Sequence, residues 1–212
     1  MAIDDLLDEH EQGERVRSWL RDNGAGILGG IVLGLALIWG WQWWQQQRAG
    51  QKMQAGNDFQ AGINALDQGA ADKAQAHFAA LPADGAYATL GALALAKARV
   101  EADKRDEAIA ALRAATPEDP AVAELIQQRV ARLLIDAGKA EEALAALADA
   151  PEDAGTLQVR GDAYTALGQH EKAREAYAGA LTRIEVGSPQ RNLVELKLSD
   201  VGGTPAATGT GS

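Results

Sequence analysis

Four short stretches decide the fold: Gly69-Ala-Ala-Asp-Lys-Ala74, Asp103-Lys-Arg-Asp-Glu-Ala108, Gly138-Lys-Ala-Glu-Glu-Ala143 and Gly168-Gln-His-Glu-Lys-Ala173. Each is a turn residue followed by a helix that opens on charged residues and reaches an alanine. Ala74, Ala108, Ala143 and Ala173 are spaced 34, 35 and 30 residues apart. Self-similarity at a fixed period of this length marks an array of two-helix units, each too small to bury its apolar face alone.

Working outward from those turns, the fourth unit carries small and large residues at Gly161, Tyr164, Gly168, Ala173, Tyr177 and Ala180, and the first repeats much of this with Gly62, Gly69, Ala74 and Phe78. A small residue on the first helix lets the second cross it closely. The middle units substitute Ala96 and Ala131 for that glycine, place Arg99 in a large-residue slot, and put Leu112 and Leu147 in the aromatic slot. A period near 34 with this pattern resembles the tetratricopeptide repeat. The helix pairs expected are 52–68 with 71–80, 86–103 with 105–115, 120–137 with 139–149, and 154–167 with 170–184. A last helix over 188–199, with Ser188 as N-cap and Pro189 in its first turn, is expected to cover the open end of the stack.

Composition agrees with an all-α chain: Ala, Leu, Glu, Gln, Lys and Arg dominate, and β-branched residues form no alternating runs. The net charge is −10, with no basic block, which argues against a nucleic-acid footprint. There is no cysteine, which removes disulfides, thiolate nucleophiles and thiolate zinc sites.

Upstream of the repeats, Asn23–Gln47 holds no charged residue, and Gly24–Trp44 reads GAGILGGIVLGLALIWGWQWW. As a helix these residues extend about 32 Å, enough for a hydrocarbon core of about 30 Å. Trp19 precedes the run and Trp39, Trp41, Trp43 and Trp44 crowd its far end, the pattern of interfacial aromatic anchors. A cleaved signal peptide fits poorly: residues 1–23 are acidic, with seven carboxylates against three arginines, the apolar run is too long, and no small-residue cleavage site follows. The segment therefore reads as an uncleaved signal anchor, and the chain divides into a cytoplasmic tail over 1–23, a transmembrane helix over 24–44, a repeat domain over 45–199 and a disordered Gly/Thr-rich tail over 200–212. Arg15, Arg17 and Arg21 before the span outnumber Arg48 and Lys52 after it, which puts the N-terminus in the cytoplasm and the repeats outside it. Gly26, Gly30 and Gly34 share one face of the span and offer close approach to another membrane helix.

The three histidines, His10, His77 and His170, are scattered, and no HExxH, Walker A or nucleophile-elbow sequence occurs. No enzyme, metal or cofactor is expected. In tetratricopeptide stacks the first helix of each pair lines a groove, commonly through its second, fifth, ninth and twelfth positions. With repeats starting at Ala55, Thr89, Glu124 and Ala154, the groove residues are Phe59, Ile63 and Leu66; Leu90, Leu93, Lys97 and Val100; Leu125, Gln128, Arg132 and Ile135; and Gln158, Asp162 and Thr165. An apolar wall with interspersed polar groups suits an extended peptide or a partner helix.

With anchor and repeats assigned, the chain resembles the YfgM family, the ancillary SecYEG translocon subunits of Gram-negative bacteria. The resemblance rests on Glu11-Gln12, on Trp19-Leu20-Arg21-Asp22-Asn23-Gly24, and on Gly34, Gly40-Trp41 and Trp44 followed directly by the repeats. The family often has two aromatics where this chain has Trp19-Leu20. The resemblance implies an inner-membrane protein whose repeats lie in the periplasm. It also implies partnership with SecYEG and the periplasmic chaperone PpiD, and contact with unfolded secretory polypeptides. The residues alone leave two other readings open: a scaffold for another cell-envelope assembly complex, and a cytoplasm-facing signalling adaptor.

Overall fold

In the computed structural model, residues 4–83 and 85–204 are described, with side chains from residue 15 onward. The chain divides into two compact units, Met1–Gln54 and Ala55–Ser212. The described residues form helices only: α1 (Asp4–Asp67), α2 (Ala71–Ala79), α3 (Ala86–Glu101), α4 (Arg105–Arg113), α5 (Pro120–Asp136), α6 (Ala140–Ala146), α7 (Ala154–Ala166), α8 (His170–Leu181) and α9 (Pro189–Asp200).

The anchor helix and the first repeat helix, expected as separate elements, are one continuous α1. Nothing between Trp44 and Ala55 breaks it: there is no proline, Gly50 is the one poor helix former, and Gln, Lys, Arg and Met dominate. Among the described residues, α1 is the one helix long and apolar enough to cross a membrane. Its large side chains between Ile27 and Trp44 are exposed, and among the described residues nothing beyond the neighbouring backbone of α1 itself lies within 4 Å of where a Cβ on Gly26, Gly30 or Gly34 would sit. At the far end of the run, Trp41 and Trp44 lie 5.4 Å apart and the Arg48 guanidinium sits 3.8 Å above the Trp44 ring.

Each helix pair of the second unit turns by the same device. Gly69, Gly138 and Gly168 adopt φ of 71°, 73° and 70°, and Asp103 takes 62° in the equivalent place. The left-handed residue lets two N–H groups fold back onto the preceding turn, as in Gly168 N to Thr165 O (3.0 Å) and Gln169 N to Tyr164 O (2.9 Å). The same pair recurs at Gly69–Ala70, Asp103–Lys104 and Gly138–Lys139. Glycine takes this conformation without strain, and aspartate is among the few other residues that tolerate it.

The core is a row of three clusters rather than one centre, as repeat stacking requires. Phe78, Leu81 and Leu95 anchor the first; Ile109, Leu112, Leu134 and Leu147 the second; Tyr177, Leu181, Val194 and Leu198 the third. The small-for-large crossings are tight. A Cβ on Gly62 would lie 2.2 Å from the Phe78 ring, and one on Gly161 would lie 2.4 Å from the Tyr177 ring. Phe78 is also pressed by Gly91, where a Cβ would lie 2.7 Å away.

Arg99 explains how a charge occupies a large-residue slot. Its side chain is 6% exposed, with Nη2 donating to Asp72 Oδ1 at 2.6 Å and Nη1 lying 2.8 Å from Glu107 Oε2. The stem packs as an apolar chain, while acids at the starts of α2 and α4, with Gln75 Oε1 3.1 Å from Nη2, satisfy the nearly buried head.

At the C-terminal end, Ser188 takes the extended N-cap conformation, but its hydroxyl makes no capping bond. Of the tail expected over 200–212, residues 200–204 fall among the described residues. Asp200 ends α9, Val201 is buried in the third cluster, and Gly202 and Gly203 close the helix by donating to Ser199 O and Leu198 O. Burial of Val201 gives this stretch an apolar tether that its Gly/Thr composition conceals. Residues 205–212 lie outside the described residues.

Candidate functional site

The first helices of the pairs, the last part of α1 with α3, α5 and α7, carry the residues expected to line a groove. They separate into three settings. At the N-terminal end, Phe59 is half-buried and stacks against Tyr87 (centroids 5.1 Å apart) and Phe78 (6.0 Å), with Ile63 beside it in the same cluster. Tyr87 and Leu90 stay 40% and 48% exposed, leaving an aromatic and apolar surface open to solvent.

In the middle, α3 and α5 flank a cleft of about 340 Å³ that brings together Leu93, Lys97, Val100 and Arg132 from the expected set. Arg129 and Leu133 join them. Lys97 is 78% exposed and pairs loosely with Glu101 at 3.7 Å. Arg132 is partly buried, and its guanidinium finds no hydrogen-bond or ion-pair partner among the described residues. Burial pushes its pKa below the ordinary arginine value; Asp162 opposes this, and Arg129 reinforces it.

At the C-terminal end the wall is spoken for. Gln128 is 8% exposed at the junction of α5 and α7, where Nε2 donates to Glu124 (3.3 Å), Asp153 (3.3 Å) and Thr156 Oγ1 (3.3 Å). Gln158 is 7% exposed and accepts from Gln190 of α9 at 3.2 Å. Asp162 binds Lys197 of α9 at 2.7 and 2.8 Å and accepts from the Tyr177 hydroxyl at 2.7 Å. These three polar residues knit neighbouring helices together instead of presenting an open wall, because stacking brings α7 against α5 and lets α9 reach across α8 to α7. Asp153 is the N-cap of α7, accepting from Gly155 N (2.6 Å) and Thr156 N (3.1 Å). Burial alone would raise its pKa, but hydrogen bonds from Thr156, Glu124 and the backbone outweigh burial and hold it below the ordinary value, while Glu124 is raised in return.

Arg129 and Leu133 escape the sequence register because they sit one position off the groove series, where a helix turned slightly about its axis still presents them, and Tyr87 escapes it because it precedes the repeat start at Thr89. His77 and His170 are exposed on α2 and at the start of α8; His10 has no described side chain. Among the described residues the open surface brings no nucleophile and base into contact. It offers an aromatic floor followed by a cationic, apolar-walled cleft, which is the equipment of a binding groove.

A protein-family model described as a tetratricopeptide repeat-like domain matches residues 17–203. The chain is also similar to two proteins that each carry the name ancillary SecYEG translocon subunit. The one from Escherichia coli (strain K12) is 28% identical over 107 residues, covering 50% of this chain and 52% of that protein. The one from Haemophilus influenzae is 29% identical over 62 residues, covering 29% of this chain and 30% of that protein. The matches thus span about half the length of the first relative and under a third of the second.

Proposed function

Because this chain belongs to the tetratricopeptide repeat-like domain family and shares stretches with two ancillary SecYEG translocon subunits, we propose that it is itself a single-pass, non-enzymatic accessory of the SecYEG translocon. In this reading α1 holds the protein in the inner membrane with its N-terminus in the cytoplasm, and the repeats stand in the periplasm. The open wall from Phe59 to Arg132 receives segments of unfolded secretory polypeptides, or of the membrane-anchored chaperone PpiD, and assists their handover. The glycine face at Gly26, Gly30 and Gly34 meets the translocon within the bilayer.

The observation that carries the proposal is the union, in one chain, of a lipid-compatible helix with an exposed apolar face and a repeat cleft still open between α3 and α5. Photo-crosslinking residues at Gly30 and at Lys97, used in intact membranes and followed by mass spectrometry, test it. Translocon subunits at Gly30 and a chaperone or secretory chain at Lys97 are the expected products. Consistent capture of a different envelope complex at both positions overturns the translocon reading. Protease added to spheroplasts should digest the repeats from outside; protection of the repeats would place them in the cytoplasm and reverse the orientation.

A further inference from the structure

The chain carries 30 acidic and 20 basic side chains, so a cation in its folded part has carboxylates in excess to pair with. Most do so, or find a carbonyl: Arg99 with Asp72 and Glu107, Lys139 with Asp106, Lys197 with Asp162, Arg174 with the Val201 carbonyl. Among the described residues Lys73 and Arg113 are also unpaired, each as a single exposed cation, whereas Arg129 and Arg132 are unpaired together. They stand side by side on α5, unfavourable to one another, and neither has a hydrogen-bond or ion-pair partner among the described residues. The acids that Arg132 feels, Asp162 and Asp153, are engaged elsewhere, one by Lys197 and Tyr177 and the other by the N-cap of α7. Across the cleft, Lys97 contributes a third cation whose exposed contact with Glu101 is worth little. Glu101 also lines the cleft, on the Lys97 side and turned largely to solvent, and the walls between the charges are apolar: Leu93, Val100 and Leu133.

Cations left unmatched in an acidic protein, around an apolar cleft, complement a ligand that brings both features. We infer that the α3–α5 cleft is a subsite for a polypeptide segment carrying an acidic side chain beside a leucine-sized apolar one. The apolar side chain enters between Leu93 and Leu133, and the carboxylate accepts from Arg132 and Arg129, with Lys97 closing the other side. A planar guanidinium suits a carboxylate, and partial burial strengthens such a bond relative to one in open water. This rests on the groove proposed above and narrows its clientele: the aromatic floor at Phe59, Tyr87 and Leu90 accepts apolar sequence generally, while the cleft selects for adjacent negative charge.

The test uses the full chain in zwitterionic nanodiscs and three fluorescein-labelled, C-terminally amidated twelve-residue peptides built on alternating leucine. The partner positions are glutamate in one, lysine in the second and serine in the third; amidation removes the terminal carboxylate as a source of binding. Anisotropy should show the glutamate peptide binding at least about tenfold tighter than the lysine peptide, a preference that shrinks with salt. The double variant K97Q/R132Q should lose most of that preference, while Lys73→Gln, an exposed site on α2, keeps it. The reversal variant K97E/R132E, with circular dichroism at 222 nm confirming the parent helix content, should now favour the lysine peptide. Equal affinity for the glutamate and lysine peptides overturns the subsite, as does displacement of the glutamate peptide by an equimolar short-chain phosphatidylglycerol, which would move the cations to a lipid headgroup. Binding of the serine peptide separates the two readings. If it binds while charge makes no difference, only the subsite falls; if no peptide binds, the peptide-receiving groove falls with it.

Discussion

Replacing Gly161 by alanine tests the packing that holds the last repeat together. The added methyl carbon would lie 2.4, 2.6 and 2.9 Å from three atoms of the Tyr177 ring, whereas nonbonded carbons rest about 3.5–4.0 Å apart. The ring would have to retreat by about 1 Å or more. It is poorly placed to do so: Tyr177 is 2% exposed, and its hydroxyl donates to Asp162 while lying 3.2 Å from the Thr165 hydroxyl. Overpacking of this kind costs about 1–3 kcal/mol, and loss of the hydrogen bond to a carboxylate adds about 1.5–3 kcal/mol. Alanine returns about 1 kcal/mol through its better helix propensity. The net destabilisation is about 1.5–5 kcal/mol, or roughly 3–20 °C in melting temperature for a unit of this size. Circular dichroism at 222 nm on the detergent-solubilised chain reads it directly. A G161A protein that melts at or above the parent temperature would refute the claim that the crossing of α7 and α8 requires a missing side chain. Combining it with Tyr177→Leu should give a loss smaller than the sum of the two, since the clash is gone in the double variant.

Other consequences follow from the same structure. Asp103→Gly should raise the melting temperature by an amount equivalent to about 1 kcal/mol, because φ of 62° costs aspartate what it does not cost glycine, while Gly168→Ala should lower it by a similar amount. Arg99→Met should keep the packing of the stem but lose both ion pairs, which involve exposed acids; an urea midpoint within about 1 kcal/mol of the parent is expected, and a much larger loss would mean that the charge itself holds α2 to α4. On acidification, Asp72, held low by its hydrogen bond from Arg99, Asp106, held low by Lys139, and Asp153 all have folded-state pKa values below the ordinary 3.8. Their contribution is complete above that value and is lost as pH falls through the lower folded one, so the urea midpoint should fall below about pH 4, with solvent screening keeping the share of the exposed Asp72 and Asp106 small. Glu124, raised by its hydrogen bond with Asp153, acts in the opposite sense, contributing below its ordinary value and losing this as pH rises through the raised one; Asp153→Asn should flatten both effects. Finally, all five tryptophans lie between residues 19 and 44, so quenching of tryptophan fluorescence by brominated lipid acyl chains reports on α1 alone; no quenching would refute a membrane-embedded α1.

Repeat number, helix pairing and the turns were legible in the sequence because local chemistry sets them. Gly69, Gly138 and Gly168 mark left-handed turns wherever they occur, and Gly62 and Gly161 pair with Phe78 and Tyr177 at a spacing fixed by helical geometry. The apolar run of Gly24–Trp44 is equally local, since length and hydrophobicity alone suit it to a bilayer. The groove was legible only in part. Counting positions found Leu93, Lys97 and Arg132, which the structure gathers at one cleft, but it also assigned Gln128, Gln158 and Asp162 to an open wall. Whether a polar side chain on that face meets solvent or a neighbour depends on residues 25 to 35 positions away, such as Asp153 for Gln128, Gln190 for Gln158 and Lys197 for Asp162. Helices, their period and the lipid-compatible segment are thus local properties, consequences of interactions within a few residues. Which part of the wall stays open is a long-range property, fixed by how far α9 reaches and which charges find partners across the stack.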